Sequence, residues 1–194
     1  MTLLGIGAAA SPRYAPAGLL VEYRGVRVAI DGGPGAEAGR IDAWLVTDER
    51  AELMAWIRRR AGAEQLEPCV QVFEHDDLSI VPHPVVHTSH DAFGYLIRAA
   101  GRSAAWAPEF WRFPEWAAGV ELFFAEAAGW SRPIRFAGGV GGHASAVDVA
   151  EEAREHRVRR LVFAHLGRPT LRALDRGDRP PFGEIGEVGR TYRL

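Results

Sequence analysis

Seven histidines, set among 25 aspartates and glutamates, carry most of this chain's capacity for chemistry. Imidazole and carboxylate together can hold Zn or Mn, and a histidine can move a proton at neutral pH. His165 ends the apolar run Leu161-Val162-Phe163-Ala164 just before Gly167, which places it at a strand end and a site edge. His143 lies in Gly141-Gly142-His143-Ala144-Ser145, beside a helix start, where backbone N–H groups favour anions. His87 closes a strand-like run and reads equally as a satisfied strand-end histidine or as a ligand. His83 shares its face at a spacing of four, but Pro82 and Pro84 make that stretch irregular; His90, three residues beyond His87, is an unorthodox candidate. His75-Asp76-Asp77 has a metal-like composition, yet polar residues between two strands are more often a turn. The single Cys69 excludes an internal disulfide and a Cys-based zinc cluster, and its apolar neighbours suggest an inert thiol. Gly5-Ile6-Gly7 lacks the third glycine and the following helix of a dinucleotide loop, and no Ser sits in a nucleophile elbow.

Composition narrows the class. A chain of 194 residues with 47% hydrophobic content can bury a sizeable core in one domain spanning 1–194. A net charge of −2 leaves no nucleic-acid footprint. All 23 basic residues are Arg, with no Lys or Asn, which reads as the codon bias of a GC-rich genome. Arg still matters locally, because it stays charged and offers a planar fork of donors. The start lacks a basic segment followed by a long apolar one, and no apolar stretch reaches the ~18 residues of a membrane span. The expectation is a soluble, cytoplasmic protein without a membrane partner.

The elements that must position these groups are short. Gly18–Tyr23 and Val26–Ile30 flank Arg24-Gly25 as a hairpin. Ala43–Val46 reads as a buried strand, and Glu52–Arg60 has helical spacing with Gly62 as its stop. Strands are predicted at Val70–Phe73, Leu78–Val81 and Val85–His87, with a hairpin of Phe93–Arg98 and Ser103–Trp106 around Gly101. A further strand covers Glu121–Ala125. Ser145, with Asp148 three residues on, caps a helix that runs to about His156 and feeds the strand Arg160–Ala164. The tail from Gly167, rich in Pro, Gly and Arg, carries no predicted element. Four of the six tryptophans, Trp106, Trp111, Trp116 and Trp130, fall in one stretch suited to packing or to lining a pocket.

Four segments in order carry a resemblance: Leu3–Gly7, Val28–Gly35, His87 ahead of Phe93–Ile97, and Leu161–His165. Together they resemble the metallo-β-lactamase-fold phosphodiesterases, those of phosphonate breakdown first and ribonuclease Z next. The resemblance covers nearly the whole chain and implies an α+β, four-layer αββα sandwich with a pocket at the sheet edges formed by Asp31, Asp48, Glu109, His143 and His165. In that family a strand like Ile41–Thr47 runs into a His-x-His-x-Asp-His loop that binds metal. Here the loop is Asp48-Glu49-Arg50-Ala51-Glu52-Leu53, without histidine.

Residue by residue, the resemblance places His87 at the third-motif histidine, Glu109 at the bridging aspartate and His165 at the last-motif histidine. Asp48, Arg50, Glu52 and Leu53 replace the first-loop ligands, and His143 falls near the scissile phosphate, as acid or electrostatic clamp. Asp48, Glu52, His87, Glu109 and His165 are too few for two ions, whereas one Zn or Mn needs only three protein ligands and water. The preferred reading has Arg50 pairing with Asp48, Glu52 or Glu109, so that an ion-pair cluster replaces the metal centre. The function expected is then a non-catalytic member that binds a ligand or partner in the cleft. The alternative is a phosphodiesterase-type hydrolase with one metal and His143 as acid. A small phosphate- or ester-containing ligand fits either, no nucleic-acid partner is expected, and a homodimer remains open through the ribonuclease Z likeness.

Overall fold

The computed structural model describes residues 1–194. Strands buried along most of their length, with β9 and β12 buried at every residue, build two sheets that face one another and are covered on their outer faces. The first contains β1 (Thr2–Gly5), β2 (Gly18–Tyr23), β3 (Val26–Asp31) and β4 (Ala43–Leu45), in the order β1-β2-β3-β4. Helix α1 (Met54–Gly62) then covers the outer face of that sheet, where Met54, Ile57 and Ala61 pack against Leu20, Ala29, Trp44 and Val46.

The second sheet is larger. It contains β5 (Phe73–His75), β6 (Leu78–Val85), β7 (Ala92–Ala99), β8 (Arg102–Ala107) and β9 (Leu122–Ala127), together with two later strands. A small ribbon, β10 (Ile134–Arg135) and β11 (Gly142–His143), lies beyond its end. Helix α2 (Ala146–Glu155) leads into β12 (Leu161–Leu166), and helix α3 (Arg168–Asp175) leads into β13 (Glu184–Ile185). The sheet order is β13-β12-β9-β8-β7-β6-β5. The main core lies between the sheets, with Leu3, Leu19, Ile30, Tyr95, Trp106, Phe124 and Phe163 at its centre, and Val149, Ala150 and Ala153 of α2 continue it on the far side. The layers are therefore αββα, as the resemblance implied. No helix is long and apolar enough to cross a membrane.

Several elements depart from the pattern read along the chain. The runs Leu78–Val81 and Val85–His87 are one strand, β6, which continues through Pro82 and Pro84 opposite Tyr95 and Phe93. Proline is tolerated there because β5 pairs only with Leu78–Ile80, so the remainder of β6 is a sheet edge on that side. The strand expected at Val70–Phe73 is displaced to Phe73–His75, and α1 starts two residues late and includes Gly62. The tail is not featureless. Pro169 opens α3, where its missing N–H costs nothing, and Thr170, Leu171 and Ala173 are buried beneath it. Ser145 caps α2 as expected, accepting from the Asp148 N–H at 3.2 Å and donating to the Asp148 carboxylate at 2.7 Å.

Candidate functional site

The histidines and carboxylates meet where strand ends of the second sheet approach the β4–α1 loop. A cavity of about 410 Å³ is lined by Asp48, Arg50, Glu52, His87, His90, Glu109, His143 and His165, with Phe136 and Ala8–Ala10 at its edge. Asp31 does not share it. That side chain lines an adjoining space of about 50 Å³ with Thr47, Asp48, Glu109 and His165.

Local backbone geometry aims each group. His165 has φ +62 at a register shift between Phe163 and Leu166, so a bulge turns it out of the β12 ladder toward the cleft. His87 follows β6 and is clamped by the glycine pair of the ribbon. Its carbonyl accepts from Gly142 N–H at 2.8 Å, and its Nδ1 donates to the Gly142 carbonyl at 3.0 Å. Gly141 has φ +148, and a Cβ there would stand 2.1 Å from the His87 carbonyl oxygen. Gly141→Ala is expected to cost about 2 kcal/mol or more through strain and displacement of this turn. Urea denaturation checks it, and an unchanged midpoint would refute the clamp.

Glu109 and Glu126 hold the histidines from opposite sides. Glu109 Oε2 lies 2.8 Å from His87 Nε2, and Oε1 lies 2.7 Å from His165 Nε2. Glu126 is fully buried; its Oε1 lies 3.0 Å from His165 Nδ1 and its Oε2 2.7 Å from His143 Nδ1. Glu126 also accepts the backbone N–H groups of Phe110 and Ala128, at 3.2 and 2.7 Å. The other nitrogens fix the proton count. His87 Nδ1 faces a carbonyl and His165 Nδ1 faces a carboxylate, neither of which can donate, so both Nδ1 atoms carry hydrogen. Both Nε2 atoms point at Glu109 at hydrogen-bond distance, so they carry hydrogen as well. The result is two imidazolium–carboxylate pairs inside the wall of the cleft.

The titration shifts agree with that count. Burial opposes charge on His165, but Glu109 and Glu126 outweigh it and push the imidazole up to about 10. His87 is likewise raised against burial by its bond to Glu109. Despite their own burial, Glu109 is held well below the usual carboxylate range and Glu126 below it, chiefly by the field of His165. Asp31 behaves oppositely. Burial pushes its carboxyl up to about 6, although Trp106 Nε1–H at 2.7 Å and the Thr47 N–H and hydroxyl donate to it.

Arg50 does not form the ion-pair cluster expected of it. Its side chain is exposed and makes no salt bridge, and only its backbone N–H reaches Asp48, at 2.7 Å. The partner of Asp48 is His90, whose Nε2 lies 2.8 Å from the carboxylate. Asp48 is sealed beneath the loop, whereas Arg50 sits on the outside of the turn that Asp48 caps, so a nearby imidazole fills the role. Glu52 is exposed at the cavity rim without an ion pair. The His75-Asp76-Asp77 segment is a tight turn between β5 and β6, with Asp76 at φ +52 and Asp77 accepting from Tyr23. Trp106 is wholly buried and Trp116 stacks on His83, so this aromatic stretch serves mainly packing. Glu126 was missed, although a signal existed: it is the one charged residue in the apolar run from Leu122 to Ala128.

Glu126, His143 and His165 offer one donor atom each within 4.8 Å of one another, close enough to hold a metal ion. The bonding around them gives a stricter test. Two ligands on one tetrahedral ion at ~2.0–2.2 Å stand roughly 3.4 Å apart. The Glu109–imidazole separations of 2.8 and 2.7 Å are those of direct hydrogen bonds. Glu126 has both oxygens occupied by two imidazoles and two backbone amides. It therefore orients the histidines, as a carboxylate behind an imidazole does. With no histidine in the first loop, the residues present do not fit a two-metal centre.

No family model matches the sequence, and no curated protein sequence matches it. Solved structures do. A metallo-β-lactamase fold protein, YhfI from Bacillus subtilis, superposes with a TM-score of 0.77 at 14% identity, covering 99% of this chain and 98% of its own. A diphosphatase from the PhnP family gives 0.72 at 17% identity, covering 100% and 96%. Zn(2+)-bound PqqB from Methylobacterium extorquens gives 0.72 at 14% identity, covering 100% and 99%. With two facing sheets flanked by helices and these neighbours matched end to end, the chain has the metallo-β-lactamase fold.

Proposed function

We propose that the cleft binds a small anionic ligand, a phosphate-bearing molecule in the first instance, and that this chain is a binding member of its fold rather than a two-metal hydrolase. The observation that carries this reading is the closure of Glu109 by His87 and His165 at 2.8 and 2.7 Å. The groups that would grip two ions grip each other instead. What stays open to a ligand is His143. Glu126 holds its Nδ1 at 2.7 Å, while Nε2 makes no hydrogen bond to the protein and the residue lines a cavity of about 410 Å³. Because Nδ1–H donates to Glu126, Nε2 donates to an anion when the ring is an imidazolium, and the bond is then charge-assisted from a ring already fixed in place. Phe136 packs against both His87 and His143, with ring centroids 5.4 and 5.2 Å away, and holds their rings in register.

A second reading rests on the same triad. Glu126, His143 and His165 lie within 4.8 Å, and one of the structural neighbours is a diphosphatase while another is Zn(2+)-bound. A single-metal hydrolase would need the His165–Glu109 pair to open and His165 to lose a proton.

The test is metal content by mass spectrometry after purification without chelators and exposure to Zn and Mn, followed by calorimetric titration with inorganic phosphate. Less than about 0.1 ion per chain with saturable phosphate binding, abolished in His143→Ala, is the expected result. About one ion per chain, lost in His165→Gln, would install the single-metal hydrolase instead. Absence of both metal and phosphate binding would remove the cleft as a ligand site.

A further inference from the structure

The longest sheet edge left without a neighbouring strand runs from Val81 to Val85. Residues 189–191 lie along β1, where Leu3 N–H bonds the Arg190 carbonyl, and Val46 N–H bonds the Cys69 carbonyl beside β4. The outer strands β5 and β13 have three and two residues. β6 has eight, and β5 pairs only with Leu78, Ser79 and Ile80. Such an edge is a template for another chain, because its outward N–H and C=O groups have no partner. Register fixes which groups those are. In an antiparallel ladder a residue sends its N–H and its C=O to the same side, and the side alternates along the strand. The Pro84 carbonyl accepts from Trp116 Nε1–H at 3.1 Å and the Val86 carbonyl from Trp111 N–H at 2.6 Å, so even positions face away from β7. Leu78 and Ile80 share that parity and stand opposite His75 and Phe73 of β5. Beyond β5 the outward positions are 82 and 84, and both are proline.

We infer that Pro82 and Pro84 close this edge to strand addition by a second copy of the chain. Two copies of β6 laid antiparallel about a two-fold axis at His83 would set residue 82 of each opposite residue 84 of the other. All four bonds of those two pairs need an N–H at position 82 or 84, and proline supplies none. One acceptor is occupied as well. The Pro84 carbonyl is taken by the Trp116 indole, whose ring also stacks on His83 with centroids 5.1 Å apart. The rest of the edge would favour pairing. Val81 and Val85 are strand formers, the stretch carries no fixed charge, and Val86 beyond it is exposed. The prolines therefore remove the bonds that would hold two sheets together, while the ladder to β7 keeps its full register.

The test restores the donors with threonine, a strand-forming residue. The wild type and the double variant Pro82→Thr, Pro84→Thr are compared by light scattering across a concentration series, and amide hydrogen exchange is followed over residues 79–86. The double variant is expected to reach a mass near twice that of the wild type, with exchange at positions 82 and 84 slowed at least about tenfold as it associates. Pro84→Thr alone, at an exposed position, restores two of the four bonds, and the carbonyl they meet, that of Pro82, is the one without a partner. It is expected to show both signals more weakly, and it carries the test if the double variant does not fold. Folded variants that keep the wild-type mass overturn the inference. So does association without slower exchange over 79–86, which would place the contact elsewhere, or a wild type whose exchange over 79–86 already slows with concentration.

Discussion

Glu126→Ala is expected to destabilise the protein by about 4 kcal/mol, the largest effect of any single substitution in the cleft wall. Glu126 is fully buried at the C-terminal part of β9 and receives four donors: the N–H groups of Phe110 and Ala128 and the Nδ1 atoms of His143 and His165. Alanine orphans all four at once and leaves the His165 imidazolium facing a cavity. A buried charge stripped of one partner typically costs ~3–5 kcal/mol, much more than the net worth of the pair. Glutamine is no remedy, because its NH2 group must confront at least one donor. Urea denaturation followed by tryptophan fluorescence measures the loss. A change below about 1 kcal/mol in the alanine variant would show that Glu126 does not hold this wall together.

The second large effect is a dependence on alkaline pH. His165 titrates near 6.5 when unfolded and at about 10 in the fold, because Glu109 and Glu126 outweigh the burial that opposes its charge. A folded value above the unfolded one means that the native state binds the proton more tightly. The stabilisation is therefore complete below about 6.5 and is lost as pH rises through about 10. On the acid side Glu109 and Glu126, both held below their ordinary range, contribute above about 4.5 and lose that contribution as pH falls. The difference in unfolding free energy between wild type and His165→Gln isolates the imidazole from other titrating groups. That difference is expected to shrink by roughly 3 kcal/mol between pH 6 and pH 10. A difference that stays flat across this window would sink the claim that His165 is an imidazolium in the native protein.

The layers were legible because their causes are local. Apolar runs of strand length, the Arg24-Gly25 turn and the Ser145 cap each act within a few residues. His143, Glu109, His87 and His165 were legible as a set only through resemblance, since no spacing along the chain says that β6, β8, β11 and β12 end at one place. What escaped was governed by partners distant in sequence. β6 survives two prolines because its neighbour β5 is short, which is a property of the sheet. Asp48 took His90 as its partner rather than Arg50, two residues away, because the turn that buries Asp48 directs the arginine outward. Glu126 looked like the flank of a strand, and its meaning comes from two histidines that lie 17 and 39 residues further along.

The chain of bonds from Gly142 through His87, Glu109 and His165 to Glu126 has a mechanical consequence. It ties the ends of β6, β8, β9, β11 and β12 into one linkage. None of these segments can open alone, because releasing any one of them strips a buried partner on the next. Local fluctuation on that side of the cleft is therefore cooperative, and the wall behaves as one unit with a shared opening energy. A ligand arriving there meets a surface that is already shaped and loses little affinity to ordering it. The first-loop turn that carries Arg50 lies outside this linkage, so the two sides of the cleft differ in stiffness: a rigid wall opposite a single anchored turn.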